Sequence, residues 1–201
     1  MGLRHSFQKK LVEAGCDEAG RGPLAGPVVG AAVILPPNFS HPFLTDSKQL
    51  NHKQLQELRP IIEQEALAFG VGFVSPKKID EINILRASFL AIHKALDQLQ
   101  VRPEFITMDG NKFQPYQQLP FECVVKGDGK YLNIAAASVL AKTYRDEYME
   151  QLHQKYPIYN WEKNKGYPTL EHRQCIKAHG PCKHHRKSFQ LLPAKQGVLF
   201  E

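Results

Sequence analysis

The chain of 201 residues contains no run of 18 apolar residues, so no segment reads as a membrane-spanning helix. Its first ten residues, Met1 to Lys10, are polar and lack the apolar stretch of a secretory leader; a cytoplasmic protein is expected. Cysteine is sparse. Cys16, Cys123, Cys175 and Cys182 form no C-x-x-C pair, which argues against a disulfide framework and leaves reduced thiols as the expectation. There are no internal repeats and no low-complexity tracts. Common nucleotide and nucleophile signatures are missing too. Gly20-x-Gly22-x3-Gly26 is one residue too long for the dinucleotide fingerprint and has Pro23 in its middle. Gly127-Asp128-Gly129-Lys130-Tyr131 lacks the first glycine and the hydroxyl residue of a phosphate loop. No G-x-S-x-G occurs, which removes the esterase type of serine nucleophile.

What is present describes a folded domain. Hydrophobic residues make up 42% of the chain, near the usual globular share and enough for a real core. The length fits one main domain with an appendage. The net charge of +6 is unevenly placed. Residues 1–150 balance, whereas residues 151–201 carry nine basic side chains against three acidic ones and hold five of the nine histidines. A cationic face of this kind suits a polyanion such as nucleic acid, with a solvated basic tail as the plainer alternative. We therefore divide the chain into a core over 1–156 and a basic C-terminal helical segment over 157–201, packed on the core.

Hydrophobic patterning interleaves strands and helices. Strands are expected over Leu11 to Cys16 (ending in a polar turn), Pro27 to Leu35, Phe69 to Ser75, Glu104 to Met108 and Phe121 to Val125. Helices are expected over Asn51 to Ala68, interrupted at Pro60; over Pro76 to Leu99; from a cap at Asn133 to about Tyr156; and over Leu170 to Ala178. The interleaving indicates an α/β domain with a mixed central sheet flanked by helices. The small residues Ala135-Ala136-Ala137-Ser138 open the third of these helices and permit close approach by a strand or a ligand.

Acidic motifs fall where strands should end: Asp17-Glu18 after the first, Asp109-Gly110-Asn111 after Ile106-Thr107-Met108, and Gly127-Asp128-Gly129 after Val124-Val125. Open α/β sheets build sites at the carboxyl ends of their strands, so these three can converge. Clustered carboxylates repel one another unless a cation holds them, and oxygen-only ligation favours Mg²⁺ or Mn²⁺ over zinc. Neighbours on a regular strand point to opposite faces, so Asp17 and Glu18 serve one site only if the chain turns there, which Gly20 and Gly22 facilitate. Taken bare, strand-end acids are more often solvated loop residues. A fourth pair, Arg145-Asp146, lies inside a helix and reads as structural. Cys175, His179, Cys182, His184 and His185 cluster but fit no common zinc spacing.

The segment Asp17-Glu18-Ala19-Gly20-Arg21-Gly22-Pro23-Leu24-Ala25-Gly26-Pro27-Val28 resembles the signature of bacterial ribonuclease HII, the type 2 ribonuclease H. The likeness continues in order through Asp46-Ser47-Lys48-Gln49-Leu50, Met108-Asp109-Gly110-Asn111, Lys126-Gly127-Asp128, Ile134 to Lys142 with Arg145-Asp146, and Lys165-Gly166-Tyr167-Pro168-Thr169 with His172. It spans about residues 12 to 190. Thr143-Tyr144 departs from the family pattern, and the Cys/His-rich stretch lies outside it.

The resemblance implies a ribonuclease H-like core and a divalent-metal endoribonuclease. Such an enzyme cleaves the RNA strand of RNA–DNA hybrids and nicks duplex DNA 5′ of an embedded ribonucleotide, leaving 3′-hydroxyl and 5′-phosphate ends, as in ribonucleotide excision repair. It implies Asp17, Glu18, Asp109 and Asp128 as metal-site carboxylates for two Mg²⁺ or Mn²⁺ ions about 3.5–4 Å apart, the spacing that clamps an in-line displacement at phosphorus. It implies that Gly20, Arg21 and Gly22 read the ribose 2′-hydroxyl through backbone groups. It assigns Tyr167 to stacking on the sugar at the RNA–DNA junction, and Ser47, Lys48, Ser138 and Lys142 to the phosphates. The basic final quarter becomes a surface that tracks the duplex. A monomer is expected. A non-catalytic nucleic-acid binder, favoured only by the basic segment, has no use for clustered negative charge.

Overall fold

The computed structural model describes residues 3–44 and 50–193. A five-stranded mixed sheet has the order β3-β2-β1-β4-β5. β1 (Glu13–Ala19) and β2 (Val28–Ile34) are antiparallel, as are β2 and β3 (Ala68–Val74). β4 (Phe105–Asp109) runs parallel to β1, and β5 (Phe121–Val124) parallel to β4. The carboxyl ends of β1, β4 and β5 therefore share one edge. Helices cover both faces, as the α/β reading expects.

Side-chain alternation sorts the core into two layers. Ala31 and Val33 pack under α4 (Leu132–Lys155) and α1 (His52–Glu65), whereas Ala32 and Ile34 pack under α3 (Ile84–Leu96). Close approach needs missing side chains. A Cβ on Gly15 would lie 2.3 Å from the Asn133 backbone, so α4 rests directly on β1. The buried Ala135, Ala136 and Ala137 complete that contact.

Three helix boundaries differ from expectation. α1 runs unbroken through Pro60, because the carbonyl that proline deprives of a donor belongs to exposed Gln56, where water can serve it. The expected long helix after Ser75 is two helices, α2 (Pro76–Ile82) and α3, parted at Asn83. Asn83 adopts a positive φ of 68° with extended ψ, which breaks the helical backbone, and its side chain accepts from the Arg86 amide to cap α3.

The third difference is at Asn133, which does not cap α4. Tyr131 holds the N-cap position, and Asn133 is a buried helical residue. Its Oδ1 accepts from the Leu35 amide at 3.0 Å and its Nδ2 donates to the Glu13 carbonyl at 3.3 Å, bolting α4 to the two central strands. Asn133→Ala strands both backbone groups in the interior. We expect a loss of about 2 kcal/mol, which lowers Tm by roughly 4–8 °C in a domain of this size, measurable by calorimetry.

Beyond α4 come a short helix α5 (Trp161–Asn164) and α6 (Leu170–His179). Trp161, Tyr159 and Ile176 form a small core with Leu24 and Met149. This segment is less of a solvated basic face than its composition suggests. His172, His185 and Arg186 are all buried. The Gly26 amide donates to His184 O at 2.9 Å and the Arg186 amide to Leu24 O at 2.8 Å, joining the segment to the loop after β1. No helix among the described residues is long and apolar enough to cross a membrane.

Candidate active site

Asp17 near the end of β1, Asp109 at the end of β4 and Asp128 in the turn after β5 bring one carboxylate oxygen each within 4.8 Å of the others. Each carboxylate is aimed by a backbone amide. Asp17 Oδ1 accepts from Glu18 N at 2.7 Å, Asp109 Oδ1 from Gly127 N at 2.7 Å, and Asp128 Oδ1 from Gly129 N at 3.0 Å. Asp17 and Asp128 are buried, whereas Asp109 is partly exposed. Gly127 is needed beside them, since a Cβ there would meet Ile134 at 2.6 Å.

No turn separates Asp17 from Glu18, contrary to expectation. Both lie in β1, opposite Ala31 and Gly30 of β2. Asp17 therefore shares the α4 face, where Ser138 hydrogen-bonds it, and Glu18 points to the α3 face. Glu18 still borders the cluster because β4 pairs with β1 only as far as Cys16, leaving a free edge beyond. Two clefts of about 320 and 300 Å³ share Glu18, Arg21 and Asp109 as common walls, so Glu18 and Asp109 stand at the waist of one trough, with Asp17 lining its larger half.

Electrostatics mark this spot as unfinished. Burial, and then the charges of Glu18 and Asp109, push the Asp17 carboxyl well above its ordinary range, against hydrogen bonds from Ser138 and the Glu18 amide. A protein-only site thus favours a proton on Asp17, and a divalent cation would relieve the same repulsion. The all-oxygen donor set fits a hard cation such as Mg²⁺ or Mn²⁺. Among the described residues this is the grouping with metal-site geometry, and the Cys175 to His185 stretch does not form one. There Cys182 Sγ lies 3.4 Å from His185 Nδ1, and burial followed by neighbouring His172 pulls the His185 imidazole down to about 4.

The larger cleft also collects Gly20, Arg21, Gly22, Ser138, Lys142 and Tyr167. Gly20 needs its glycine: φ is +94°, and a Cβ would strike Arg145 Nε at 2.1 Å. Tyr167 is 46% exposed as a residue, and its ring lies close to Gly22, whose Cβ position is 3.7 Å from Tyr167 Cε1. Lys142 Nζ donates to Asp146 Oδ2 at 2.8 Å, so Asp146 also borders the cleft but sits in an ion pair, outside the three-carboxylate cluster. Arg145 is an interior group that donates to the Pro27, Ala25 and Lys165 carbonyls. Ser47 and Lys48 lie outside the described residues.

Arg186 belongs by composition with the cations of the basic segment, yet it is buried. Its neighbours Lys183, His184 and Lys187 are polar, and the carbonyls it binds lie about 160 positions earlier in the chain. No local signal marks it as interior.

A sequence model of the ribonuclease HII family matches residues 14–192. Ribonuclease HII of Bacteroides thetaiotaomicron is 63% identical over 186 residues, covering 92% of this chain and 93% of that protein. Ribonuclease HII of Parabacteroides distasonis is 62% identical over 189 residues, covering 94% and 95%. The crystal structure of ribonuclease H2 from Pyrococcus horikoshii OT3 is similar with a TM-score of 0.73 at 28% identity, covering 89% of this chain and 94% of that one. The α/β architecture is thus that of the type 2 ribonucleases H, and the chain belongs to the ribonuclease HII family.

Proposed function

We propose that this ribonuclease cleaves the RNA strand of RNA–DNA hybrids and nicks duplex DNA on the 5′ side of an embedded ribonucleotide by two-metal hydrolysis, leaving 3′-hydroxyl and 5′-phosphate ends. The observation that carries the reading is the meeting of a three-aspartate cluster, two of whose members (Asp17 and Asp109) line the cleft, with the Gly20–Gly22 loop and exposed Tyr167 in that same cleft. Family membership supports the same substrate class.

Asp17, Asp109 and Asp128, joined by Glu18 from the opposite sheet face, are the residues that would hold Mg²⁺ or Mn²⁺. Bound there, divalent cations supply an activated water and Lewis-acid stabilisation of phosphorane charge and of the leaving 3′-oxygen. The protein contributes the rest. Backbone amides fix the three aspartates before substrate arrives, so little reorganisation remains for the reaction. Ser138 holds Asp17 from α4, and the Lys142 ammonium lies in the same cleft to meet a phosphate. Ser47 and Lys48 are assigned to the neighbouring phosphates on the motif alone. The Gly20–Gly22 loop offers the ribose its exposed backbone at Arg21 and Gly22, with Gly20 buried behind them, and the 2′-hydroxyl distinguishes RNA from DNA. Tyr167 offers a ring face to the adjoining sugar. All these residues come from one chain, so a monomer suffices.

The test is an end-labelled DNA duplex carrying a single ribonucleotide, incubated with the protein in Mg²⁺, in Mn²⁺ or in EDTA beside an all-DNA duplex. We expect a nick 5′ of the ribonucleotide with either cation, none in EDTA and none in all-DNA. Retained binding without scission under any cation defeats the reading.

A further inference from the structure

Two guanidinium groups lie buried behind the Gly20–Gly22 loop, and each hydrogen bond they make goes to a backbone carbonyl. Arg186 reaches both ends of the loop at once. Its Nη2 donates to Gly20 O at 2.6 Å and Pro27 O at 3.1 Å, its Nη1 to Arg21 O at 3.0 Å, and its Nε to Gly26 O at 3.0 Å. Arg145 donates to Pro27 O at 3.1 Å, Ala25 O at 3.2 Å and Lys165 O at 2.9 Å. Arg186 is fully buried and Arg145 nearly so. The loop tip they hold is open: Arg21 and Gly22 are exposed and border the cleft.

Burying two like charges side by side is expensive, and a loop that needed only to turn would not require it. The peptide geometry supplies a reason. In a trans peptide the carbonyl and the following N–H point in opposite directions. The Gly20 carbonyl shares its plane with the Arg21 amide, and the Arg21 carbonyl with the Gly22 amide. A fork that draws both carbonyls inward turns both amides outward, towards the cleft. A carbonyl that accepts a charge-assisted bond also polarises its own peptide, which strengthens the N–H as a donor.

We propose that Arg186 is a positioning residue for substrate recognition: from the far end of the chain it grips the Gly20 and Arg21 carbonyls and thereby aims the Arg21 and Gly22 amides at the ribose. The inference rests on the reading of this loop as the ribose-recognition element. Arg186 touches no substrate itself; it acts by fixing the loop. Its own placement is secured from outside by Asp80 at the end of α2, which accepts from Lys187 N and Ser188 N at 2.9 Å each and from Ser188 Oγ at 2.6 Å.

The test compares affinities of the full chain for two duplexes of one sequence, all-DNA and with a single ribonucleotide, in Ca²⁺ in place of Mg²⁺ or Mn²⁺. Wild type should bind the ribonucleotide duplex more tightly. Arg186→Lys keeps the charge but loses the planar fork. It should shrink that preference about tenfold or more and leave all-DNA affinity within about twofold. An intact preference with a lowered Tm overturns the inference and leaves Arg186 a fold staple. A wild type without preference overturns the ribose reading of the loop itself, which separates the two failures. Should Arg186→Lys fail to fold, Asp80→Ala decides, since it releases Lys187 and Ser188 while retaining Arg186. A reduced preference then supports the proposal, and an unchanged one overturns it.

Discussion

Asp17→Asn should abolish cleavage and, in the absence of divalent cation, make the protein more stable. The first half follows from the cluster. Asparagine fills the same volume but removes one of three converging charges, and losing several kcal/mol of transition-state stabilisation lowers the rate by about 10³-fold or more. The second half follows from the site's own electrostatics. Burial and the charges of Glu18 and Asp109 raise the Asp17 carboxyl above its ordinary range. A group whose folded pKa exceeds its unfolded value adds stability fully present below the unfolded pKa and lost as pH rises through the folded one. At neutral pH the cation-free parent therefore carries the cost of a buried acid that must hold its proton or ionise against its neighbours, whereas the unfolded chain ionises it freely; the amide variant carries no such cost. We expect a Tm about 2–4 °C above the parent at pH 7–8, the shift that roughly 1 kcal/mol produces in a domain of this size. The gap should close near pH 4. Mg²⁺ or Mn²⁺ should raise the parent's Tm and leave the variant's unchanged. Calorimetry across pH, with and without cation, checks each part, and parallel Tm curves for the two proteins would remove the electrostatic account.

The same tension explains why the site was partly legible in sequence. An acid that follows a β-branched or apolar run and precedes glycine announces a strand ending in a loop; this holds for Asp109, and Asp128, flanked by Gly127 and Gly129, lies in the turn just past Val124-Val125. Parallel pairing of β1, β4 and β5 then puts such endings on one edge. The residues themselves did not reveal that β1 continues through Asp17 and Glu18, because the continuation depends on β2, whose Ala31 and Gly30 leave room beside them. Adjacent acids on a straight strand read as facing apart, and they do. They border one trough only because β4 stops pairing at Cys16.

Tertiary partners account for the other differences. Asn133 has the composition of a cap, but the buried Leu35 amide and Glu13 carbonyl claim its side chain. Asn83 interrupts an otherwise helical run because its side chain caps α3 from a non-helical backbone of positive φ. Arg186 stands among lysines and histidines, and only the folded loop supplies carbonyls to hold it. Local periodicity sees none of these: Asn133 and Arg186 are decided by groups distant in sequence, and the Asn83 cap by side-chain chemistry that apolar spacing does not register.

Tyr167→Ala should cut cleavage at a single ribonucleotide severely while barely changing Tm. The backbone of Tyr167 is firmly held. Its amide donates to Asn164 O at 2.8 Å, and its carbonyl accepts from Thr169 N at 2.8 Å and from His172 Nδ1 at 2.9 Å. His172 is set for that role because its Nε2 accepts from the Trp161 indole at 3.0 Å, which leaves Nδ1 as the protonated nitrogen. Tyr167 is nonetheless nearly half exposed, with Gly22 beside its ring and the Arg145 guanidinium 5.8 Å from the ring centroid. A locked backbone under an exposed ring adds little to the core, so truncation should move Tm by no more than about 2 °C, in the range of a surface substitution. A stacking platform contributes about 1–3 kcal/mol per contact. That predicts a fall in kcat/KM of about 10- to 100-fold, largely recovered in Tyr167→Phe, which keeps the ring face. If Tyr167→Ala instead loses stability and activity in proportion, the ring is a packing element and the junction contact must lie elsewhere in the trough.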